Sequence, residues 1–161
     1  MSDDASDMPR FLPVGLCIQG RKCLVIGGGK VGTRKVGTLL RAGAVVTVVS
    51  PAVSGELSTR IEAGEVAWAK GPFRDEHLAD AFLVVAATND QTVNSAVVKA
   101  AAERGVLLCD ASRAERSEVI FGALLERGDV TVAVFSGGRD PSSSRRTRDR
   151  IAELISEDRR S

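Results

Sequence analysis

The chain has 161 residues, 43% of them hydrophobic, with 22 basic and 21 acidic side chains for a formal net charge of +1. That length buries one substantial core and a small extension, and the balanced charge gives no basic footprint for nucleic acid or a membrane surface. No apolar run approaches the roughly 18 residues of a membrane span, and the acidic start Met1-Ser2-Asp3-Asp4-Ala5-Ser6-Asp7 is unlike a basic secretory signal, so the expected location is cytoplasmic.

The first predicted element is a short apolar strand, Cys23-Leu24-Val25-Ile26, which breaks into Gly27-x-Gly29-x-x-Gly32. Val36, Leu39 and Leu40 follow at helical spacing. A strand, a glycine-rich turn and a helix start in this order form the fingerprint of a dinucleotide-binding βαβ unit. Gly27 permits the tight turn, Gly29 admits a pyrophosphate against the backbone, and Gly32 lets the helix pack closely on the strand. Gly28, Lys30 and Val31 complete the loop, and the helix start favours the anion. An α/β fold whose glycines serve only the turn is the plainer alternative.

A second strand, Val45-Val46-Thr47-Val48-Val49, leads into Ser50-Pro51-Ala52. A helix closes at Ile61–Gly64, and Val66-Ala67-Trp68-Ala69 is a short strand with Trp68 as a packing residue. Ala81–Ala87 is apolar without interruption, as expected of a parallel strand buried on both faces, and it ends in Thr88-Asn89-Asp90. Ligands of open parallel sheets sit beyond the carboxyl ends of the strands, so Thr88 and Asn89 face the same crevice as the glycines. A helix over Thr92–Arg104 and a strand over Val106–Cys109 complete the βαβαββαβ series. The fold class is α/β, a Rossmann-like parallel sheet. An acidic residue about 20 positions after the glycines would hold the ribose of NAD, but Ser50-Pro51-Ala52 stands there, with no arginine following for a 2′-phosphate.

After residue 112 the rhythm changes. Val119–Leu125 and Val130–Phe135 are two apolar segments joined by Glu126-Arg127-Gly128-Asp129, and they suggest strands pairing outside the main sheet, a candidate dimer interface. Pro141 stands where a helix starts, and Ser142–Glu157 carries a thin stripe of Ile151, Leu154 and Ile155. The predicted division is residues 1–112 as the dinucleotide-binding domain and 113–161 as the extension. Cys17, Cys23 and Cys109 are odd in number and far apart, which suggests core residues rather than disulfides. No metal site is expected, and His77, in Arg74-Asp75-Glu76-His77-Leu78, reads as a surface residue rather than an iron ligand.

Taken together, these pieces resemble the precorrin-2 dehydrogenase and sirohydrochlorin ferrochelatase family, the NAD-dependent module of siroheme synthase. The matching residues are Phe11-Leu12-Pro13-Val14, Val25–Val31 with Arg34-Lys35, Val49-Ser50-Pro51, Val85–Asp90 with Val93-Asn94, Gly128–Val134, and Ser136-Gly137-Gly138 before Pro141 and an arginine-bearing helix. The resemblance implies a homodimer exchanging strands through the extension, with NAD as cofactor and precorrin-2 as the tetrapyrrole substrate. Sirohydrochlorin would be the product, with ferrous or cobaltous ion as a further substrate where chelation follows. It places Pro51 and Ala52 by the adenosine ribose and Thr88–Asp90 on the nicotinamide side.

Precorrin-2 carries eight carboxylates, so arginines are expected to recognise it. Arg113, Arg145 and Arg146 are candidates, with Arg116, Arg148 and Arg150 beside them. Interleaved Asp149, Glu153 and Glu157 equally suit a solvated helix face. Ser136 matches a family serine near the substrate cleft, and its simpler role is a turn hydroxyl. Members of the family commonly place an aspartate after the fifth strand; Ser112 stands at that position here. A serine without a base is a poor proton acceptor, although its hydroxyl can orient water or substrate. Asp110, two residues earlier on the same face of an extended chain, lies about 6–7 Å away. It is either the displaced base or a cap after the strand. The family usually continues into a small helical domain over the cleft, so this chain resembles a short form with a more open cleft and weak or absent chelation. A non-catalytic module that binds NAD(H) or a tetrapyrrole is the competing class.

Overall fold

The computed structural model describes residues 10–137 and 140–157. Five strands form one parallel sheet: β1 (Lys22–Gly28), β2 (Val45–Val53), β3 (Val66–Lys70), β4 (Leu83–Ala86) and β5 (Leu107–Asp110), in the order β3-β2-β1-β4-β5. Helices α1 (Lys30–Arg41), α2 (Gly55–Glu62) and α3 (Gln91–Arg104) connect them. The sheet grows outward from β1 in both directions, so the carboxyl ends of β1 and β4 flank the topological switch point where such sheets bind ligands.

Core composition explains the sheet. Leu24, Val25 and Ile26 of β1 and Leu83 to Ala86 of β4 are all buried, as strands covered by helices on both faces must be. Leu57 of α2, Val36 and Leu39 of α1, and Val97, Ala100 and Ala101 of α3 supply the helical side of that core. Asp90 caps α3, its Oδ1 accepting from the Thr92 and Val93 N–H groups at 2.8 and 3.4 Å. Gly105 closes the same helix in the left-handed region at φ 64°.

Two of the boundaries that differ from the sequence reading have a clear physical cause. β2 runs to Val53 because the register with β1 slips between Ile26 and Gly28, so that Gly28 pairs with Val53. The slip accommodates Ser50-Pro51-Ala52, including a proline that cannot donate to a regular ladder. β4 begins at Leu83 rather than Ala81, because Ala81 N–H donates to the Leu78 carbonyl at 3.0 Å and closes the short 3₁₀ turn Asp75–Leu78.

Two compact units are formed. One is Pro13–Val119; the other is built on residues 120–157. Residues 113–119 belong to the first because they fold back onto β5. The Glu118 and Val119 N–H groups both donate to the Leu108 carbonyl at 3.0 Å, and Ser117 Oγ accepts from the Asp110 N–H at 2.8 Å. The second unit holds an antiparallel pair, β6 (Ala123–Arg127) and β7 (Val130–Val134), and helix α4 (Pro141–Glu157). The hairpin loop is two residues, Gly128-Asp129, with Gly128 at φ 56° in the first central position where such loops favour glycine. Val119–Gly122, expected as part of the first of these strands, stays outside it because its start is held on β5.

Candidate functional site

Beyond the carboxyl ends of β1, β2 and β4 lies a cavity of about 520 Å³, lined by the glycine loop Gly27–Val31, by Ser50 and Pro51, by Gly71–Phe73, and by Thr88–Asp90. The volume suits a cofactor-sized ligand. The sequence-expected residues Gly27, Gly28, Gly29, Lys30, Val31, Ser50, Pro51, Thr88 and Asn89 are therefore brought together on one cavity. Gly32 and Ala52 stand behind its wall. A Cβ on Gly32 would meet the Gly27 carbonyl oxygen, and one on Gly28 would meet that of Ala52.

The loop glycines differ in what requires them. Gly27 has φ 116°, and a Cβ there would lie 2.5 Å from the Ala87 carbonyl oxygen. At Gly29 a Cβ meets no protein atom within 4 Å. Gly29 caps α1 without a side-chain hydrogen bond and with an ordinary φ of −83°, so the fold does not require a glycine there. The N–H groups of the first turn of α1 beside it are of the kind that favours an anion. That turn carries no acidic residue, and Lys30 lines the cavity beside it. These residues fit the pyrophosphate of a dinucleotide.

Sequence reasoning passed over the groups that hold the loops in place. Asn94 is fully buried on α3 and clamps Thr88: its Oδ1 accepts from the Thr88 hydroxyl at 2.8 Å and N–H at 3.3 Å, while Nδ2 donates to the Thr88 carbonyl at 3.0 Å. On the other wall Thr33 Oγ1 and Ser54 Oγ lie 2.8 Å apart, linking α1 to the cap of α2. Asn94 stands among the matching residues of the sequence, but its spacing alone does not show that the side chain reaches back to Thr88.

Asp110 and Ser112 form a second cluster, at the end of β5. The Asp110 side chain has 0% exposure. Its Oδ1 accepts from the Ser112 hydroxyl at 2.6 Å, the Ser112 N–H at 2.9 Å and the Arg113 N–H at 3.2 Å. Arg116 Nη2 stands 2.5 Å from Oδ2. Arg116, expected to be available to a carboxylate substrate, has its guanidinium engaged within the protein: Nη1 donates to Ser95 Oγ at 3.0 Å and Nη2 to Gln91 Oε1 at 3.2 Å. Neighbouring Cys109 is pushed up to about 11, chiefly by burial, so it stays a thiol at neutral pH. Burial likewise holds the Lys35 ammonium below its ordinary value.

Arg113 is exposed on the first unit. Ser136, Arg145 and Arg146 lie on the second. Ser136 Oγ donates to the Asp140 carbonyl at 2.8 Å and accepts from its N–H at 3.1 Å, just before α4. Arg145 and Arg146 are exposed on α4, the latter 3.7 Å from Asp140. His77 serves its own turn, Nδ1 accepting from the Arg74 N–H at 3.0 Å. Among the described residues no group of three or more potential metal ligands occurs, and no helix is long and apolar enough to cross a membrane.

Comparison with known proteins decides the lineage. Residues 14–123 match the model of a family described as "Putative NAD(P)-binding". A solved structure, SirC, a precorrin-2 dehydrogenase, superposes with a TM-score of 0.79 at 30% identity, covering 89% of this chain and 71% of that one. The chain belongs to the precorrin-2 dehydrogenase family. Two siroheme synthases are also similar, from Photorhabdus laumondii (38% identity over 145 residues) and Nitrosomonas europaea (42% over 146). Each match covers 90% of this chain, which spans 31% of either relative's length. In this precorrin-2 dehydrogenase family member the glycine-loop cavity falls within the residues matched by the NAD(P)-binding family model, and the fold expected from the sequence is the one observed.

Proposed function

We propose that the chain is an NAD-dependent precorrin-2 dehydrogenase of siroheme synthesis, converting precorrin-2 to sirohydrochlorin. The observation that carries this reading is a cavity walled by Gly27–Val31 and Thr88–Asp90, in a chain similar along most of its length to a precorrin-2 dehydrogenase. Bound NAD supplies a two-electron hydride acceptor. The loop from Gly27 to Gly32 cradles the pyrophosphate, with Gly29 and the first turn of α1 against it, Gly32 holding the helix close to the strand, and Lys30 and Val31 over it. Pro51 and Ala52 lie by the adenosine ribose, and Thr88 and Asn89, fixed by Asn94, face the nicotinamide. NAD is favoured over NADP because Ser50-Pro51-Ala52 brings no cation to the place of a 2′-phosphate.

Arg113 is an exposed forked donor for substrate carboxylates. Arg145 and Arg146 of α4 are exposed donors of the same kind, with Ser136 hydrogen-bonded to Asp140 just before that helix. Ser112 and Asp110 handle the proton. The enzyme is cytoplasmic, a compartment that suits three free cysteines. It works as a homodimer, for which the β6–β7 pair is the contact: a two-stranded sheet leaves both edges open to pairing, and Val130 is 60% exposed.

Anaerobic incubation with precorrin-2 and NAD tests this reading. Formation of NADH and sirohydrochlorin in equal amounts is expected, and NAD binding without product would turn the reading to a non-catalytic module. Addition of ferrous or cobaltous ion afterwards reads out chelation separately, as a metal-dependent spectral change above the protein-free control.

A further inference from the structure

Asp110 cannot itself reach a substrate, because its side chain has 0% exposure. Ser112 is exposed, and its hydroxyl points at Asp110 Oδ1 at 2.6 Å, a short, charge-assisted bond. The hydroxyl proton is thereby committed inward, which leaves the oxygen's lone pairs for whatever approaches from outside. The outside position is the relevant one. Ser112 Oγ lies 3.5 Å from Gln91 Oε1, and Gln91 follows Asp90, which lines the cofactor cavity.

What keeps Asp110 in this role is Arg116. A buried carboxylate is costly without a partner, and Arg116 Nη2 stands 2.5 Å from Oδ2. The guanidinium is fixed in turn by Ser95 and Gln91 on α3, at 3.0 and 3.2 Å. An aspartate at the end of β5, an exposed serine and an arginine tied to the helix that begins at the cavity form one connected unit.

We propose that Arg116 is a positioning residue for the dehydrogenation, acting through Asp110 on the Ser112 hydroxyl, so that Ser112 and Asp110 together accept the proton that leaves the substrate. This rests on the reading of the chain as a precorrin-2 dehydrogenase. Of the hydride and proton lost by the substrate, the hydride with its electron pair goes to NAD. The proton goes to Ser112 Oγ as the hydroxyl's own proton moves to Asp110 Oδ1, and the serine is regenerated. Asp110 then returns its proton to water through the same hydroxyl. A bare serine in place of the family's aspartate is thereby supplied with a carboxylate and a counter-charge.

The test is a double-mutant cycle in the full chain with precorrin-2 and NAD, reading kcat, KM for each substrate, and NAD affinity by titration. Ser112→Ala is expected to lower kcat roughly a hundredfold, within the usual worth of a positioned proton acceptor. Arg116→Gln is expected to lower it at least about tenfold, with NAD affinity unchanged. In the Ser112→Ala background Arg116→Gln should cost nothing further, because residues that act as a unit are non-additive. A full additional loss there, or an unchanged kcat in either single variant, would overturn the proposal, since an arginine that merely supports the loop would weaken both backgrounds alike. If Arg116→Gln does not fold, the double variant Gln91→Leu/Ser95→Ala removes the anchors while keeping the ion pair, and the same cycle with Ser112→Ala decides. Failure of the unmutated protein to turn over would remove the parent reading and this one together. Normal turnover with an additive cycle removes this one alone.

Discussion

Gly29 and Gly32 separate binding from folding at single positions. Gly32→Ala forces a Cβ against the Gly27 carbonyl oxygen and is expected to lower stability by about 2 kcal/mol, as overpacking of a fixed backbone does. Gly29→Val meets no protein atom within 4 Å; thermal unfolding should be near that of the unmutated chain while NAD binding by calorimetry is lost. Equal loss of stability in the two variants would contradict the view that Gly29 is kept for the ligand. Thiol chemistry offers a second check. Cys23 and Cys109 are buried and pushed up to about 11, whereas Cys17 is exposed, so a disulfide reagent near pH 8 should titrate one thiol in the native protein and three in denaturant. The glycine loop was readable because each glycine answers a local demand visible in the motif. The state of Asp110 was not: spacing put it on the face of Ser112, but its burial depends on Arg116 returning from the loop beyond, a contact made by tertiary folding.

Among elements, α3 organises the cofactor side. Asn94→Ala would strand the Thr88 N–H and carbonyl, while the hydroxyl keeps its bonds to Asp90, and it is expected to cost about 2 kcal/mol, with weaker NAD binding because Thr88 lines the cavity. Denaturant melts and NAD titration of the same variant check both. Helix α4 carries a pH signature. Asp140 accepts from the Ser143 N–H at 2.9 Å, and this bond holds its carboxyl below the ordinary 3.8. A carboxylate whose native value is depressed stabilises the fold fully above its unfolded value and loses that contribution as pH falls through the native one. Loss of α4 amide protection should therefore begin only below 3.8, and Asp140→Ala should show the loss already at neutral pH. Hydrogen exchange reads both. Strands β1 and β4 were legible from unbroken apolar runs, and α4 from Pro141. The reach of β2 to Val53 was not, because a register slip around a proline leaves no periodicity to read.

At the scale of the molecule, the larger unit carries a built cavity and the smaller unit a two-stranded sheet. Light scattering at micromolar concentration should give twice the chain mass, and a monomer under those conditions would contradict the strand-pairing role of β6 and β7. The parallel sheet followed from the alternation of apolar strands and helical stretches; the division after Val119 did not, since it depends on residues 113–119 returning to β5. Catalysis rather than mere binding is the central claim, and counting turnovers tests it most directly. Purified protein is mixed anaerobically with excess precorrin-2 and NAD, and NADH formed per chain is followed beside sirohydrochlorin. Many equivalents of each, rising together, are the expected result. A plateau at or below one equivalent, with NAD demonstrably bound, would contradict it.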